Sequence, residues 1–556
     1  MRRSLDCAFY RLDASVQSPT GVPKSEIRKF DVLKFAVISV VVGCLGGALL
    51  PASESFAACT PPTGDNTTVT CSGATVNQGP GINTGYGDST QDGVTVNVQS
   101  GATVTGTSTG IDLNNNNTIN NAGTINTNGV GIGNVYGINS NGPLTVTNSG
   151  TIGQIDLVDP GNTDLAGINE QGTGLTVTNT STGVIQGDVA ILAGGTPSIM
   201  TVVNSGLISG IAGGGGMGIS GDNVTVTNNQ SGTITADAFG INANTATIYN
   251  YGVISAPAAG AGGTAVNVNS LTLVNYASGI ITADGFGVSG SFTPILNVTN
   301  FGAISGTGLG GTGIEGNTVT LVNSGTVSGG LGGAAISTNS GAITNNVGGT
   351  ITGGILAFDN TSIFNAGTIT SVGAPAIQFT SAGGGGGGNS LTIAPTSIIN
   401  GNVVGSGIDT FQLGGTGSGT FDLALIGAGQ QYQGFTTFNV VGGFWTVSNV
   451  FGQADAWNVD GGTLAGTGTL ADPQRQQRQH AAARHHARHG DDDHRQSRVP
   501  VRRALRGDAQ RHDVDAGQGH RHRRAGRRRG SHYPGRCHQG DLYDPALGRP
   551  RRHHIR

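Results

Sequence analysis

Apolar and polar positions alternate along this chain in one short phrase that is rewritten many times. In residues 144–153, LTVTNSGTIG, the apolar Leu144 and Val146 alternate with Thr145 and Thr147. An Asn and a small-residue turn follow, and Ile152 resumes the alternation. The phrase returns as LTVTNTSTGVIQG from Leu175, MTVVNSGLISG from Met200, VTVTNNQSGTITA from Val224 and ATIYNYGVISA from Ala246. It continues as LTLVNYASGIITA from Leu271, LNVTNFGAISG from Leu296, VTLVNSGTVSG from Val319, AITNNVGGTITG from Ala342 and TSIFNAGTITS from Thr361, with an earlier copy, TINNAGTIN, from Thr118. A period of two is the mark of a strand with one buried face. Val, Ile and Thr dominate, as strands favour, and the Leu-rich spacing of helical repeats is missing.

Aligning the copies places an Asn in one column: Asn121, Asn148, Asn179, Asn204, Asn228, Asn250, Asn275, Asn300, Asn323, Asn346 and Asn365. Ten steps cover 365 − 121 = 244 residues, a mean period of about 24, which is the range of a solenoid. A second apolar patch separates the phrases: GINS at Gly137, GISG at Gly218, GINA at Gly240, GVSG at Gly287 and GIEG at Gly313. Two or three short strands per repeat with Gly and Asn corners predict an all-β fold, a right-handed parallel β-helix. Gly and Asn suit such corners because both tolerate left-handed backbone angles. Stacked Asn side chains can hydrogen-bond from coil to coil. Some 16 coils spaced about 4.8 Å apart would make a rod of roughly 75 Å, stable only through nearest neighbours and in need of caps at its ends.

Composition agrees with a solenoid and argues against an ordinary globular enzyme: Gly is 99 of 556 residues, and charged residues are 11%. The net charge of −4 averages unlike regions. Seven of the 28 Lys and Arg lie at or before Lys34 and 21 at or after Arg475; all 12 His lie beyond residue 479. Residues 35–471 therefore carry 19 acidic side chains and no basic one. Nucleic acid needs Lys and Arg against its phosphates, so it is not an expected partner.

Residues 1–57 read as an export signal: basic residues through Lys34, an apolar run over 35–50, and Ser55 and Ala57 at the small-residue cleavage positions. The alternative is an uncleaved N-terminal anchor. Residues 58–74 then form an expected N-terminal cap, because Cys59 and Cys71 in an exported chain favour a disulfide. The β-helix is expected over 75–449. Aromatic residues gather from Phe411 to Trp445, suggesting wider coils or a C-terminal cap.

The segment 461–470, GGTLAGTGTL, resembles the autotransporter-associated repeat, and the signal and rod before it resemble an autotransporter passenger. That resemblance covers about residues 36–470, with 450–470 as the repeat. It implies type V secretion: a β-helix displayed at the cell surface or released, carried there by a C-terminal β-barrel in the outer membrane. Residues 471–556 depart from the pattern. They are rich in Arg and His, the alternation stops, and no barrel follows. They read either as a basic disordered tail or, as we favour, as a shifted reading frame. Residues 491–500 can be back-translated so that the next frame encodes an alternating strand phrase. A chain without the barrel would stop in the periplasm.

Chemistry is constrained by what is missing. Residues 35–471 offer no His or Lys as the base of a catalytic triad and no Cys/His set for zinc. Catalytic, metal and cofactor residues are therefore expected to be absent. Only carboxylate chemistry remains, as in a glycan hydrolase with two carboxyl groups across a sugar. Asp156, Asp159 and Asp164 cluster in one insertion, where calcium is conceivable. Asp222, Asp237, Asp284, Glu315 and Asp359 recur about once per coil near corners. Arg506-Gly507-Asp508 has the form of an integrin motif but lies in the tail. The expected function is an adhesin-like surface rod that contacts glycans or proteins of host or neighbouring cells. A glycan hydrolase on the same scaffold, or an inactive truncated product, are the alternatives.

Overall fold

A computed structural model describes residues 58–470, except for 63, 81–82, 129–133, 154–164, 211–214, 258–261, 382–387 and 454. The expected export signal (1–57) and basic tail (471–556) lie outside the described residues.

The described chain is a right-handed parallel β-helix of about 15 turns. Its strands form two sheets, one of 27 strands and one of 14. One coil shows the plan. Strand Met217–Asn228 pairs with two strands of the preceding coil, Val189–Ala193 and Ile199–Asn204, and so supplies two faces of the large sheet. Thr233–Ala236 supplies the third face, in the small sheet, and Phe239–Asn250 opens the next coil. The repeated phrase is thus the second half of the large-sheet strand plus the small-sheet strand. The GI patch is the first half of the large-sheet strand.

Alternation puts every second side chain inside. Val146, Val177, Val202, Val226 and Ile248 stack in register on the large sheet, each 0% exposed. Ile152, Ile185, Ile208, Ile234 and Ile254 do the same on the small sheet. Each such side chain contributes about 1.5–3 kcal/mol of burial, all of it against its own coil and the two beside it. The Gly of the GI patch marks a tight corner. A Cβ at Gly218 would lie 2.5 Å from the Gly240 carbonyl oxygen, and one at Gly240 2.5 Å from that of Ala265. Ala190 and Ala265 stand in the same register, so a methyl is the largest group the corner takes.

The N-terminal end is closed by chemistry as well as geometry. Cys59–Thr60 runs antiparallel to Thr68–Cys71, and Cys59 and Cys71 are joined in a disulfide with both residues fully buried. Every other strand pairing among the described residues is parallel. Gln78 clamps the cap, accepting from the Cys59 N–H at 2.8 Å and donating to its carbonyl at 2.7 Å. The first coil lies partly within the expected cap segment, since Thr68–Cys71 pairs in parallel with Thr95–Val98.

Toward the C-terminus aromatic rings replace aliphatic side chains in the interior. The inward column that reads Ile363, Leu391 continues as Phe411, Phe438, Trp457. Phe411 meets Tyr432 and Phe435 edge-on, with centroids 5.0 and 5.7 Å away, and Phe438 meets Phe451 at 4.9 Å. Burial pushes the Tyr432 hydroxyl pKa up to about 12. Phe444, in the same aromatic-rich stretch, points outward instead. The 461–470 segment is one more coil: Trp457–Gly466 pairs in parallel with Tyr432–Ser448.

Because the disulfide closes a short loop, its loss should cost about 3 kcal/mol, and a nearest-neighbour solenoid should confine that cost to its own end. Amide exchange of the Cys71→Ser chain is expected to lose protection over residues 68–98 and to keep it over 225–323.

Candidate functional site

The feature that the repeat preserves most strictly lies inside the coil. At the last inward position of each large-sheet strand, Asn121 Nδ2 donates to Asn148 Oδ1 at 2.8 Å, Asn148 to Asn179 at 2.9 Å, and Asn179 to Asn204 at 2.9 Å. The chain of amides continues through Asn228, Asn250, Asn275, Asn300 and Asn323 with every link 2.8 or 2.9 Å. The next member is Asn345, which accepts from Asn323 and donates to Asn365, each at 2.8 Å. The expected Asn346 is corrected to Asn345. Counting by twos from the inward Ile343 selects the first of the two adjacent asparagines. Asn346 sits on the outer turn and donates to Ser324 Oγ at 2.9 Å, as Asn229 does to Ser205 Oγ at 2.8 Å.

All donors point the same way along the axis. The second hydrogen of each amide reaches backbone carbonyls of its own turn and of the next coil, as Asn148 does to Gly150 O and Val184 O, both at 3.1 Å. Nearly every member is 0% exposed, so a missing link would strand a buried polar group. A Gly follows each Asn by two or four residues, and a Cβ at Gly183 or Gly232 would collide with the amide oxygen of Asn179 or Asn228. Val98 occupies the ladder position in the coil before Asn121 and Ile393 in the coil after Asn365. The last free donor, on Asn365, is taken by Ser397 Oγ at 2.6 Å. From Asn148 to Asn365 the ladder is fully buried, and its first member, Asn121, borders a shallow surface hollow. Replacing Asn228 by Ala strands Asn204 and Asn250 and should cost about 2–6 kcal/mol, two groups at about 1–3 each. Asn346→Ala should stay within about 0.5 kcal/mol, and chemical denaturation of both variants separates the two positions.

Polar chemistry also gathers on the first large-sheet face, near the N-terminal end. Asn139 Nδ2 donates to Asp112 Oδ1 at 2.8 Å, Asn169 Nδ2 to Asn139 Oδ1 at 2.8 Å, and Gln171 Nε2 to Asn139 Oδ1 at 3.2 Å. Asp88, one coil earlier, accepts from the Thr90 N–H and hydroxyl, beside Ser89 with its left-handed φ of 60°. Burial raises the pKa of Asp112, the Asn139 hydrogen bond opposes this, and the Asp88 charge raises it further. Sequence reasoning missed this pair. Its one signal was a separation of 112 − 88 = 24 residues, one mean period. A shallow hollow of about 260 Å³ lies elsewhere, lined by Asn97, Gln99, Asn120, Asn121, Thr147 and Ser149, without an acidic residue among them.

The other acidic candidates are not assembled. Asp222 and Glu315 lie in the strands Met217–Asn228 and Thr312–Asn323, whereas Asp237 and Asp284 lie in turns two coils apart. Asp359 sits in the turn before Thr361–Asn365. Asp156, Asp159, Asp164 and the 506–508 tripeptide lie outside the described residues. Among the described residues, no group of three His, Cys, Asp or Glu could hold a metal ion.

Glu170 is a fully buried carboxyl with few hydrogen bonds, unlike the equally buried Asp409, which accepts from Asn389 and Ser406. Glu170 itself is 0% exposed, Oε1 accepts from the Gly174 N–H at 3.4 Å, and Oε2 has no partner. Burial raises its pKa, with the Gly174 and Gly172 N–H groups opposing. A raised folded-state pKa gives stability that is complete below the unfolded pKa and lost as pH rises through the folded one. Glu170→Gln should therefore raise the unfolding midpoint at pH 8 and leave it little changed at pH 4, as read by thermal denaturation at the two values.

No family model, no curated protein and no solved structure matches this chain.

Proposed function

We propose that the protein is a non-catalytic, exported β-helical rod of the autotransporter-passenger type, whose outer faces adhere to glycans or proteins of other cells. The observation that supports this most directly is the fold itself. Its repeated internal chemistry stacks the coils, and its outer strand positions form long, continuous faces. The N-terminal apolar run, the 461–470 repeat and the lack of any basic side chain over 35–471 agree with that reading. On the same reading, residues 471–556 are out of frame, and surface display belongs to the in-frame version carrying an outer-membrane barrel.

The second reading is a glycan hydrolase on the same scaffold, which needs two carboxyls; Asp112 stands in register with Gly87, the neighbour of Asp88. One experiment separates them. Residues 58–470 displayed through a foreign outer-membrane barrel should increase attachment of the host bacterium to epithelial or bacterial layers, compared with the barrel alone. Equal attachment counts against adhesion. Release of product from a polysaccharide panel, abolished by Asp112→Asn, would replace the adhesive reading with the hydrolytic one.

A further inference from the structure

The second large-sheet face turns the polar half of each repeated phrase to solvent, and register stacks those positions into columns. From Thr68 through Thr145, Thr176 and Thr225 to Thr272, nine consecutive coils place a threonine at the same outward position. Two residues further along each strand a second outward column carries Thr147, Thr178 and Thr227, mixed with Asn97, Val203 and Tyr249. None of the positions in these two columns is charged, although Asp222 lies at the start of one of the strands, before its column threonine Thr225.

Strand propensity alone does not produce such a column. The matching outward column of the small sheet, built in the same coils, reads Ala74, Thr103, Thr124, Thr151, Val184, Leu207, Thr233, Val253, Ile280, four threonines in nine. There β-branched and aliphatic residues interchange, as packing on a pleated surface allows. Its second column pairs hydroxyls internally, Ser255 with Thr235 at 3.0 Å and Ser305 with Thr282 at 2.9 Å. The nine threonine hydroxyls of the large sheet make no hydrogen bond to protein among the described residues. Their bonding capacity is directed outward, and each carries a methyl group beside it.

The array has two fixed repeats: about 4.8 Å between strands, and about 6.8 Å between alternate residues along a strand. A flexible glycan or peptide matches no such repeat in both directions, and a polyelectrolyte finds no charge to pair with. A neutral solid of the same repeats fits. The oxygen atoms of ordinary ice repeat along a basal axis close to the inter-strand spacing and along the hexagonal axis close to the two-residue rise. We propose that this threonine face binds the surface of ice crystals. Each hydroxyl exchanges a bulk water for a lattice water at little net gain, so affinity comes from the number of groups held in place. The β-helix has already fixed them, and little ordering cost remains on binding.

This goes beyond the adhesive reading, which concerns cells and not a mineral-like solid, and each can fail alone. The purified full chain, fluorescently labelled, is frozen slowly against a single ice crystal, and crystal shape is followed during growth. The expected result is label accumulating on the ice and faceted growth. Thr176→Lys with Thr225→Lys should abolish both, while Thr352→Lys on the small sheet should change neither. Circular dichroism checks the fold. If the Lys pair does not fold, Thr176→Tyr with Thr225→Tyr serves instead, because Tyr249 already occupies the neighbouring column. Unshaped ice with the folded chain, undiminished binding by the folded double variant, or capture by crystalline cellulose and not by ice would each overturn the proposal.

Discussion

Coil-to-coil register is the constraint on which everything else in this protein depends. A parallel β-helix has no long-range core. Each residue is stabilised by the residue one coil above and one coil below. Under that condition the most economical sequence is one that repeats, because like side chains stacked at strand spacing fill like spaces. The asparagine ladder makes the requirement exact in polar terms. A buried amide is costly unless both its donor and acceptor are used, and along the ladder each amide oxygen after Asn121 accepts from the amide one coil before it, until Ser397 takes the last donor. A slip of one residue would expose the aliphatic columns and unpair every asparagine at once.

The same logic explains where the repeat is allowed to lapse. At the N-terminal end of the described residues, the antiparallel Cys59–Thr60 strand covers the edge of the first coil and the disulfide holds it there. Toward the C-terminus the ladder gives way to Ile393 and Leu413, and the inner column to Phe411, Phe438 and Trp457. Rings that meet edge-on need no strict identity between coils, so variety returns to the sequence where aromatics fill the space. Glu170 and Asp359 are departures within the rod, each with a buried carboxylate oxygen that has no hydrogen-bond partner.

For function, the interior is committed to stacking and the exterior is regular. The Asp88, Asp112, Asn139 and Asn169 group is a local concentration of polar chemistry, while the threonine columns are extended and uncharged. Extended faces recognise through repetition, whereas a catalytic site needs a few groups converging on one point. The extended, regular faces are the observation on which the adhesive and crystal-binding proposals both rest.

Much of this was legible in the sequence, and for a physical reason: in a solenoid the contact partner lies one period away, so periodicity along the chain is contact in space. The all-β class, the parallel stacking, the inward Val and Ile columns and the existence of an asparagine column follow from counting alone. The column failed at Asn346 because two adjacent asparagines make the alignment ambiguous, and only the inward alternation from Ile343 decides for Asn345. The Asp88 and Asp112 pair went unnoticed because neither belongs to a repeated phrase. What joins them is the register of the coils. The sequence by itself determined that like residues would stack. Only the tertiary structure decided which of them face inward, which hydroxyls make no bond to the protein, and which acidic residues share a face, because those depend on the corners, where one residue more or less turns a side chain to the opposite face.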